Sequence, residues 1–565
     1  MLIFIWEVKM LSRISKFLLL FFPFLLLVNY SHSADLLVLS EDVPAGLDYD
    51  GPSIAIPATQ TGVDNLMEPL IYYKTKGIND EGVITHDYSQ FEGRLAESWS
   101  FDESSLTWTL KLRKNVKGCN GSVFNADDVI YTYERAKSVS GAAPIGWFLA
   151  SVGSMANFTP AVFGENKDAK KLGNEVTKVD DYTIKIRQSA KNALFLHVLT
   201  VFGSYIYDKE TMLDNATAKD PYSHEYNDRK NAPSFSAYCL KKWVKDKDFV
   251  VTSNNDYYRG KPYFDRVILR KVPQSANRLV ILKTGQAQLV ERLTPKEFDS
   301  LKSVKGIKVA GVFGNENLFI HMNYKSPPFD NPRLRRALAY AMPYQSIIKD
   351  AYFNNARSWP GHVQTTYQDY HKPSTAYTEQ LGKARSLLAE AGYPNGKGLE
   401  EFKDAFKLAY VAEKESFLGP VANLIKTNLS KIGINVLLDP LPQTQYGDRQ
   451  LVKKDLPFAL NDQEKPIAPD AVYAFLLFWV SAEKGGLNNM VNYSNPKVDE
   501  LYAKALIEGD PAKRTKLAAE MQEIVQNDVA WIPVVEFKTH WAFNDKIKGI
   551  KWHPDNAIRW FDLSM

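Results

Sequence analysis

The residues able to do chemistry in this chain are scattered, and their spacing argues against most familiar reactions. The nine histidines stand at positions 32, 86, 197, 224, 321, 362, 371, 540 and 553. None forms a spacing such as HxxxH, which sets two imidazoles on one helical face around a metal. No metal site and no cofactor is expected. The sequence carries no GxSxG, GxGxxG, P-loop, HExxH or EF-hand pattern. The carboxylate pairs Asp127-Asp128 and Asp180-Asp181 stand at a helix start and a strand start, where caps and solvated turns are the plain reading. Carboxylates that act together from distant positions leave no local signature, so a secreted hydrolase of peptides or glycans stays open as an alternative. Cys119 and Cys239 are the two cysteines. An even count is compatible with one bridge, and two buried free thiols are the other reading. Trp147, Trp359, Tyr473 and Trp479 either stack on a ligand or pack inside a core. Asp470 precedes the apolar run AVYAFLLFWV and reads as its N-cap.

The elements that must position these residues are legible from periodicity. Leu106, Trp108, Leu110 and Leu112 alternate with Thr107, Thr109, Lys111 and Arg113, which is a strand with one buried face. The turn FDESS before it joins this strand to one carrying Trp99. A helix follows: Asn125 caps it, Asp127 and Asp128 lie in its first turn, and Val129, Ile130 and Tyr133 recur at helical spacing. Farther on, Asn331 caps a helix with Pro332 in first position. Leu334, Ala337, Leu338 and Ala341 form its apolar face, and Pro343 ends it at Met342.

With 565 residues the chain holds about two to four domains. Aromatic residues make up 12%, enough for large cores with rings to spare. The formal net charge of +4 and the lack of a long basic run give nucleic-acid binding no electrostatic support. Residues 1–33 read as an export signal. Arg13 and Lys16 precede an apolar run from Phe17 to Val28, and Ser31-His32-Ser33 offers a cleavage site after Ser33 or Ala34. The run is shorter than the ~20 apolar residues of a spanning helix.

The segments LAESW (95–99), LKLRKNV (110–116) and NADDVIYTYERAK (125–137), in this order with a glycine turn between the last two, resemble the signature of the family 5 extracellular solute-binding proteins. These are the dipeptide-, oligopeptide- and nickel-type receptors of ABC importers. PPFDNPRLRRALAYAMPYQSIIKDAYFNNA (327–356), KARSLLAEAGYP (383–394), VANLIKTNLSKIGINV (421–436) and NYSNPKVDELYAKAL (492–506) extend the resemblance.

The resemblance implies an α/β architecture: a two-lobed fold like the type II periplasmic binding proteins, with an extra subdomain in the first lobe and a hinge of crossing strands. Residues 34–317 would form lobe 1, with 533–565 returning to it and a small subdomain at about 70–205. Residues 318–532 would form lobe 2. The implied function is that of an exported receptor in the periplasm. It would bind a small polar or peptide-like solute between its lobes and deliver it to the permease subunits of an ABC transporter in the inner membrane. It would act without catalytic turnover and as a monomer. In peptide-binding members an Asp in the segment here reading ALNDQEKPIAPDAVYAFLLFWV holds the ligand ammonium, and Asp462 matches it approximately. Tyr49 stands in the loop that points into the cleft, and Trp147, Trp359, Tyr473 and Trp479 complete the candidate ligand-binding set. Dipeptide receptors place an Arg for the ligand carboxylate after the AGYP segment. Here no Arg lies between Arg385 and Arg449, and only lysines such as Lys414 are available. Lysine is a poorer two-pronged clamp, so the expected ligand presents a cationic or polyhydroxyl end to Asp462.

Overall fold

The computed structural model describes residues 34–50, 57–138, 176–462, 465–486 and 488–565. The export-signal segment and Trp147 lie outside these residues. The chain opens with strand β1 (Asp35–Ser40) and helix α1 (Pro57–Leu66). Strands β2 (Ile71–Ile78) and β3 (Ile84–Gly93) pair as an antiparallel ribbon. Strands β4 (Ala96–Asp102), β5 (Thr107–Leu112), β6 (Val176–Asp180) and β7 (Thr183–Arg187) form a separate sheet in the order β4-β5-β7-β6, with α2 (Ala126–Ser138) between β5 and β6 in sequence.

The hairpin read from the alternation is present, with Trp99 opposite Leu110 and Phe101 opposite Trp108. Leu106 is the exception. It lies in the turn at φ 52°, so the strand begins one residue later. The cap of α2 is reciprocal: Asp127 N donates to Asn125 Oδ1 at 2.7 Å, and Asn125 N donates to Asp128 Oδ2 at 2.8 Å. Two donors that the helix leaves without partners are thereby satisfied.

Helix α3 (His224–Arg229) leads to strands β8 (Tyr238–Val244), β9 (Asp248–Ser253), β10 (Arg266–Lys271) and β11 (Leu289–Glu291). Then comes β12 (Ile307–Met322), followed by α4 (Pro332–Tyr340), β13 (Ala356–Ser358), α5 (Leu381–Glu390), β14 (Lys407–Val411), α6 (Glu415–Ser430), β15 (Leu437–Leu441) and β16 (Phe458–Asn461). Helices α7 (Ala471–Phe478), α8 (Pro496–Ile507) and α9 (Pro511–Asp528) precede the last strand, β17 (Ile532–Asn544). Helix α4 carries the expected cap, with Asn331 Oδ1 accepting from Arg333 N and Leu334 N. It ends at Tyr340, two residues before the expected stop.

One mixed sheet runs through the molecule in the order β15-β14-β16-β12-β17-β11-β1-β10-β9-β8, with β13 on β17. Strands β12 and β17 are its spine. They pair antiparallel from Ile307 opposite Asn544 to Ile320 opposite Ile532, with a shift in register between Phe313 and Asn317. At one end β1 lies parallel to both β10 and β11. At the other, β14 lies parallel to β15 and β16. The fold is therefore two α/β lobes joined by crossing strands.

The pleat of β12 divides the core, because successive side chains point to opposite faces. Leu318, Ile320 and Met322 pack with α4, α5 and α6, whereas Phe319 packs with α7 and Trp531. No helix among the described residues is long and apolar enough to cross a membrane.

Cys119 and Cys239 form a disulfide with their Cα atoms 5.7 Å apart, tying the turn after β5 to the edge strand β8. The loop so closed spans 120 residues, and closing a long loop restricts the unfolded chain. Replacing both cysteines by serine should lower stability by about 2–4 kcal/mol, measured by urea unfolding. The oxidised protein should show no titratable thiol after unfolding. Two reactive thiols in protein taken from its own compartment would overturn the bridge.

Candidate functional site

In open α/β sheets, ligands bind in the crevice beyond the carboxyl ends of the parallel strands. In the second lobe β14 ends at Val411 and β16 at Asn461. The short turn Ala412–Lys414 carries Lys414 past the first end, and Asp462 follows the second. The two side chains meet there: Lys414 Nζ lies 2.9 Å from Asp462 Oδ1 and 3.0 Å from Oδ2. The pair is only partly shielded, with Lys414 31% and Asp462 14% exposed. Glu316, from the bulged stretch of β12, pairs with Lys465 nearby. Burial first, and then the charges of Asp462 and Glu316, raise the Tyr352 hydroxyl well above its ordinary pKa. This marks one acidic neighbourhood beside the crossing strands. On β17, Glu536 accepts from Arg357 Nε at 2.9 Å and from Thr365 N and Oγ1 at 2.6 and 2.7 Å.

A second cluster joins α7 and α9 to β2. Asp470 is wholly buried. It caps α7 by accepting from Val472 N and Tyr473 N, as its place in the sequence predicts. It also accepts from Arg514 Nη2 of α9 at 2.7 Å on each oxygen, and Arg514 reaches Asp369 as well. From the segment between β7 and α3, His197 brings Nε2 to 3.9 Å from Asp470, while its Nδ1 lies 3.0 Å from Tyr73 Oη of β2. Burial alone would raise the Asp470 pKa, but Arg514 foremost, with His197, outweighs burial and holds it below the usual value. Burial depresses His197 to about 4, so the ring is neutral at physiological pH. Ala193 N, in the same segment as His197, donates to Leu506 O at 2.8 Å.

The sequence-derived candidates fall in different places. Asp462 stands at the crevice but already holds Lys414. Tyr473 is buried on α7. Trp479, at the end of that helix, packs 4.7 Å from Trp531 and 5.5 Å from His362 between ring centres. Trp359 donates Nε1 to Val363 O and lies against Phe319 and Trp531. Trp359 and Trp479 thus pack with Phe319, Trp531 and His362, and Trp479 Nε1 is buried without a hydrogen-bond partner among the described residues. Tyr49 is buried: its hydroxyl donates to Tyr205 O at 2.7 Å and its ring stacks on Tyr207. Trp147 is outside the described residues. Arg514, His197, Glu536 and Lys465 had no signal in the sequence. Arg514, for example, is one cation among several on a charged helix, and only the fold turns it inward.

Residues 90–486 match the family described as "Bacterial extracellular solute-binding proteins, family 5 Middle". The chain belongs to this family. Family 5 relatives include the probable D,D-dipeptide-binding periplasmic protein DdpA of Escherichia coli, 25% identical over 86% of this chain and 85% of the relative. Heme-binding protein A of Haemophilus influenzae is 27% identical, covering 84% of each chain. The glutathione-binding protein GsiB of Escherichia coli is 26% identical over 83% of this chain and 85% of the relative. Among solved family 5 folds, the periplasmic binding protein DppA from Helicobacter pylori, in complex with the peptide STSA, superposes with a TM-score of 0.75 at 23% identity, covering 94% and 98% of the two chains. MoaA from A. tumefacien, in complex with mannopinic acid, gives 0.74 at 22%, covering 94% and 99%. A family 5 chain with this fold is a solute receptor of an ABC importer, taking its solute between the lobes for delivery to a membrane permease. The hydrolase alternative finds no support among these relatives.

The buried cluster makes a testable demand on the receptor. Asp470→Asn leaves Arg514 with one carboxylate fewer in a dry site and should cost about 3–5 kcal/mol in urea unfolding. Because the Asp470 pKa is depressed on folding, its contribution is present above the ordinary carboxylate pKa and is lost as pH falls through the folded value. The variant should therefore lose less stability than wild type on acidification. Equal stability of the two proteins at pH 7 would show that Asp470 does not anchor α9.

Proposed function

We propose that the solute is peptide-like, or carries another cationic or polyhydroxyl end, and that this end is held at Asp462 in exchange for Lys414. The observation that carries this reading is the Lys414–Asp462 pair at the adjoining carboxyl ends of β14 and β16. A carboxylate there pairs with a ligand ammonium and gains strength as closure excludes water. Two relatives, a probable D,D-dipeptide-binding protein and a glutathione-binding protein, support a ligand with amino and carboxyl groups.

In this reading residues 34–317 with 533–565 form lobe 1, and residues 318–532 form lobe 2. The small subdomain lies within lobe 1, at about residue 70 to 205. Residues 1–33 direct export and are cleaved near Ser33 or Ala34. The mature protein works in the periplasm as a monomer and hands its solute to the inner-membrane permease. It has no catalytic turnover, no cofactor and no nucleic-acid partner. Closure is a hinge motion about the crossing strands.

Native mass spectrometry of the purified protein identifies the co-purifying solute, and titration of variants then tests the site. If an ammonium is held, Asp462→Asn should cost about 2–5 kcal/mol of binding. For a neutral sugar the loss should be about 0.5–1.5 kcal/mol. Lys414→Met separates two modes. A purely cationic ligand should bind more tightly once its competitor is gone, whereas a ligand whose carboxylate replaces Asp462 at Lys414 should bind more weakly. Unchanged affinity in both variants would place the solute elsewhere.

A further inference from the structure

The loop after β1 carries a cluster of charges that solute capture does not use. This loop, Glu41–Asp50, leaves the carboxyl end of a strand with a parallel partner on each side, so it borders the crevice of the first lobe. Asp48 and Asp50 both face Arg135 of α2, whose side chain is wholly buried. Arg135 Nη1 donates to Asp48 Oδ1 at 3.0 Å, to Asp50 Oδ2 and to Tyr207 Oη. Its Nη2 lies 3.0 Å from Asp48 Oδ2 and 3.3 Å from Asn227 Oδ1, and its Nε donates to Tyr222 O at 3.1 Å. Its guanidinium sits 4.4 Å from the centre of the Tyr207 ring. His224, first residue of α3, brings Nδ1 to 2.6 Å from Asp48 Oδ2, and its side chain is one-third exposed.

Two carboxylates thus share one guanidinium in a dry site, and Oδ1 of Asp50 is buried without a hydrogen-bond partner. The other titratable groups facing the cluster are Tyr49, Tyr131, Tyr133, Tyr207 and Tyr222, with Asp220 accepting from His224 N. The tyrosines add no charge and Asp220 adds only negative charge. Among the described residues Arg135 is the one permanent cation facing the two carboxylates.

We propose that Asp48, Asp50, Arg135 and His224 form a proton-operated clasp that fastens the loop after β1 to α2 and α3. The two aspartates divide the roles. For Asp48, burial is outweighed by Arg135 and His224, and its pKa falls well below the ordinary range, so it stays ionised. For Asp50, burial prevails over Arg135, the charge of Asp48 adds to it, and the pKa rises to about 6. Asp50 takes the proton as pH falls, which ends the repulsion between the carboxylates. A raised folded pKa means that the stabilisation is complete below the unfolded pKa and is lost as pH rises through about 6. The clasp is tight in acid and loosened at neutral pH.

The test follows unfolding of wild type, Asp50→Asn and His224→Gln from pH 4.5 to 7.5, together with hydrogen exchange of the amides of residues 47–50. Relative to Asp50→Asn, the wild-type folding equilibrium constant should fall by up to roughly a hundredfold as pH rises from about 4 to about 6, and then level off. His224→Gln should move this window to higher pH, because the His224 charge lowers the Asp50 pKa. In wild type, opening of the loop amides relative to those of β5 should increase over the same window, a readout that needs no variant. Parallel pH profiles of wild type and Asp50→Asn, or loop amides whose relative protection does not change with pH, would overturn the clasp.

Discussion

The antiparallel pairing of β12 with β17 is the constraint on which the rest of this structure depends. The two strands are neighbours in the middle of the main sheet, and its other strands take their places outward from them. Their register shifts between Phe313 and Asn317, and such an irregularity bends a strand and raises its twist. Side chains of both lobes fix the bend. Asn315 Nδ2 donates to Pro466 O of one lobe and Pro554 O of the other, and Thr366 Oγ1 donates to Gly314 O at 3.0 Å. Gly314 is required by space, since a Cβ there would run into the Trp552 ring. A hinge built in this way cannot slide without breaking a ladder of the one mixed sheet.

Around this spine one rule governs the charges: a carboxylate taken from water needs a partner. Asp470 and Asp369 share Arg514, Glu536 holds Arg357, and Asp555 with Asp64 holds Arg559. Magnitudes separate the Asp470 and Asp64 pairs from Lys414–Asp462, whereas Arg357 in the Glu536 pair is itself 41% exposed. Breaking a buried pair by removing one partner costs several kcal/mol, whereas a pair open to water is worth about 0–1 kcal/mol. Asp470 is wholly buried, but Lys414 keeps a third of its side chain in solvent. The first interaction is fixed structure. The second can be exchanged for a ligand at little cost, and the proposed reading of the end of β16 rests on this difference.

Local structure was legible wherever the pattern was local. The alternation after Ser105, the Asn125 and Asn331 caps, the glycine after α5 at φ 97° and the Asp470 cap all depend on neighbours within about one turn. The resemblance in the segments around residues 95–137 and 327–356 carried the two-lobed architecture. What sequence could not show is which partner arrives from far away. Asp462 was legible as a carboxylate beyond a strand, but not as the partner of Lys414, 48 positions earlier. For Trp359 and Trp479 the sequence offered two readings, stacking on a ligand or packing in a core, and could not name the neighbours of either ring. Here 12% of the residues are aromatic, and Phe319, Trp531 and His362 absorb both rings into one packed face. Leu106 was misread for a related reason: hydrophobic alternation says nothing about the positive φ that closes the hairpin.

The pairing of Lys414 with Asp462 also bears on the missing arginine. A guanidinium fork holds a carboxylate along two parallel bonds, whereas an ammonium reaches both oxygens from a single point. Lys414 does the latter to Asp462, so the residues available for the two ends of a zwitterion neutralise each other. A zwitterionic solute entering between them would give each side chain a new partner and leave the net charge of the site unchanged. A simple cation would take Asp462 and release Lys414, which is already partly hydrated and can swing to water with a small loss. A simple anion would have to leave Asp462 without a counter-charge in a partly shielded position, and that is the costly case. For a solute held at this pair, as proposed, the geometry orders the ligand classes, with zwitterions and cations ahead of anions, before any contact with the remainder of the solute is counted.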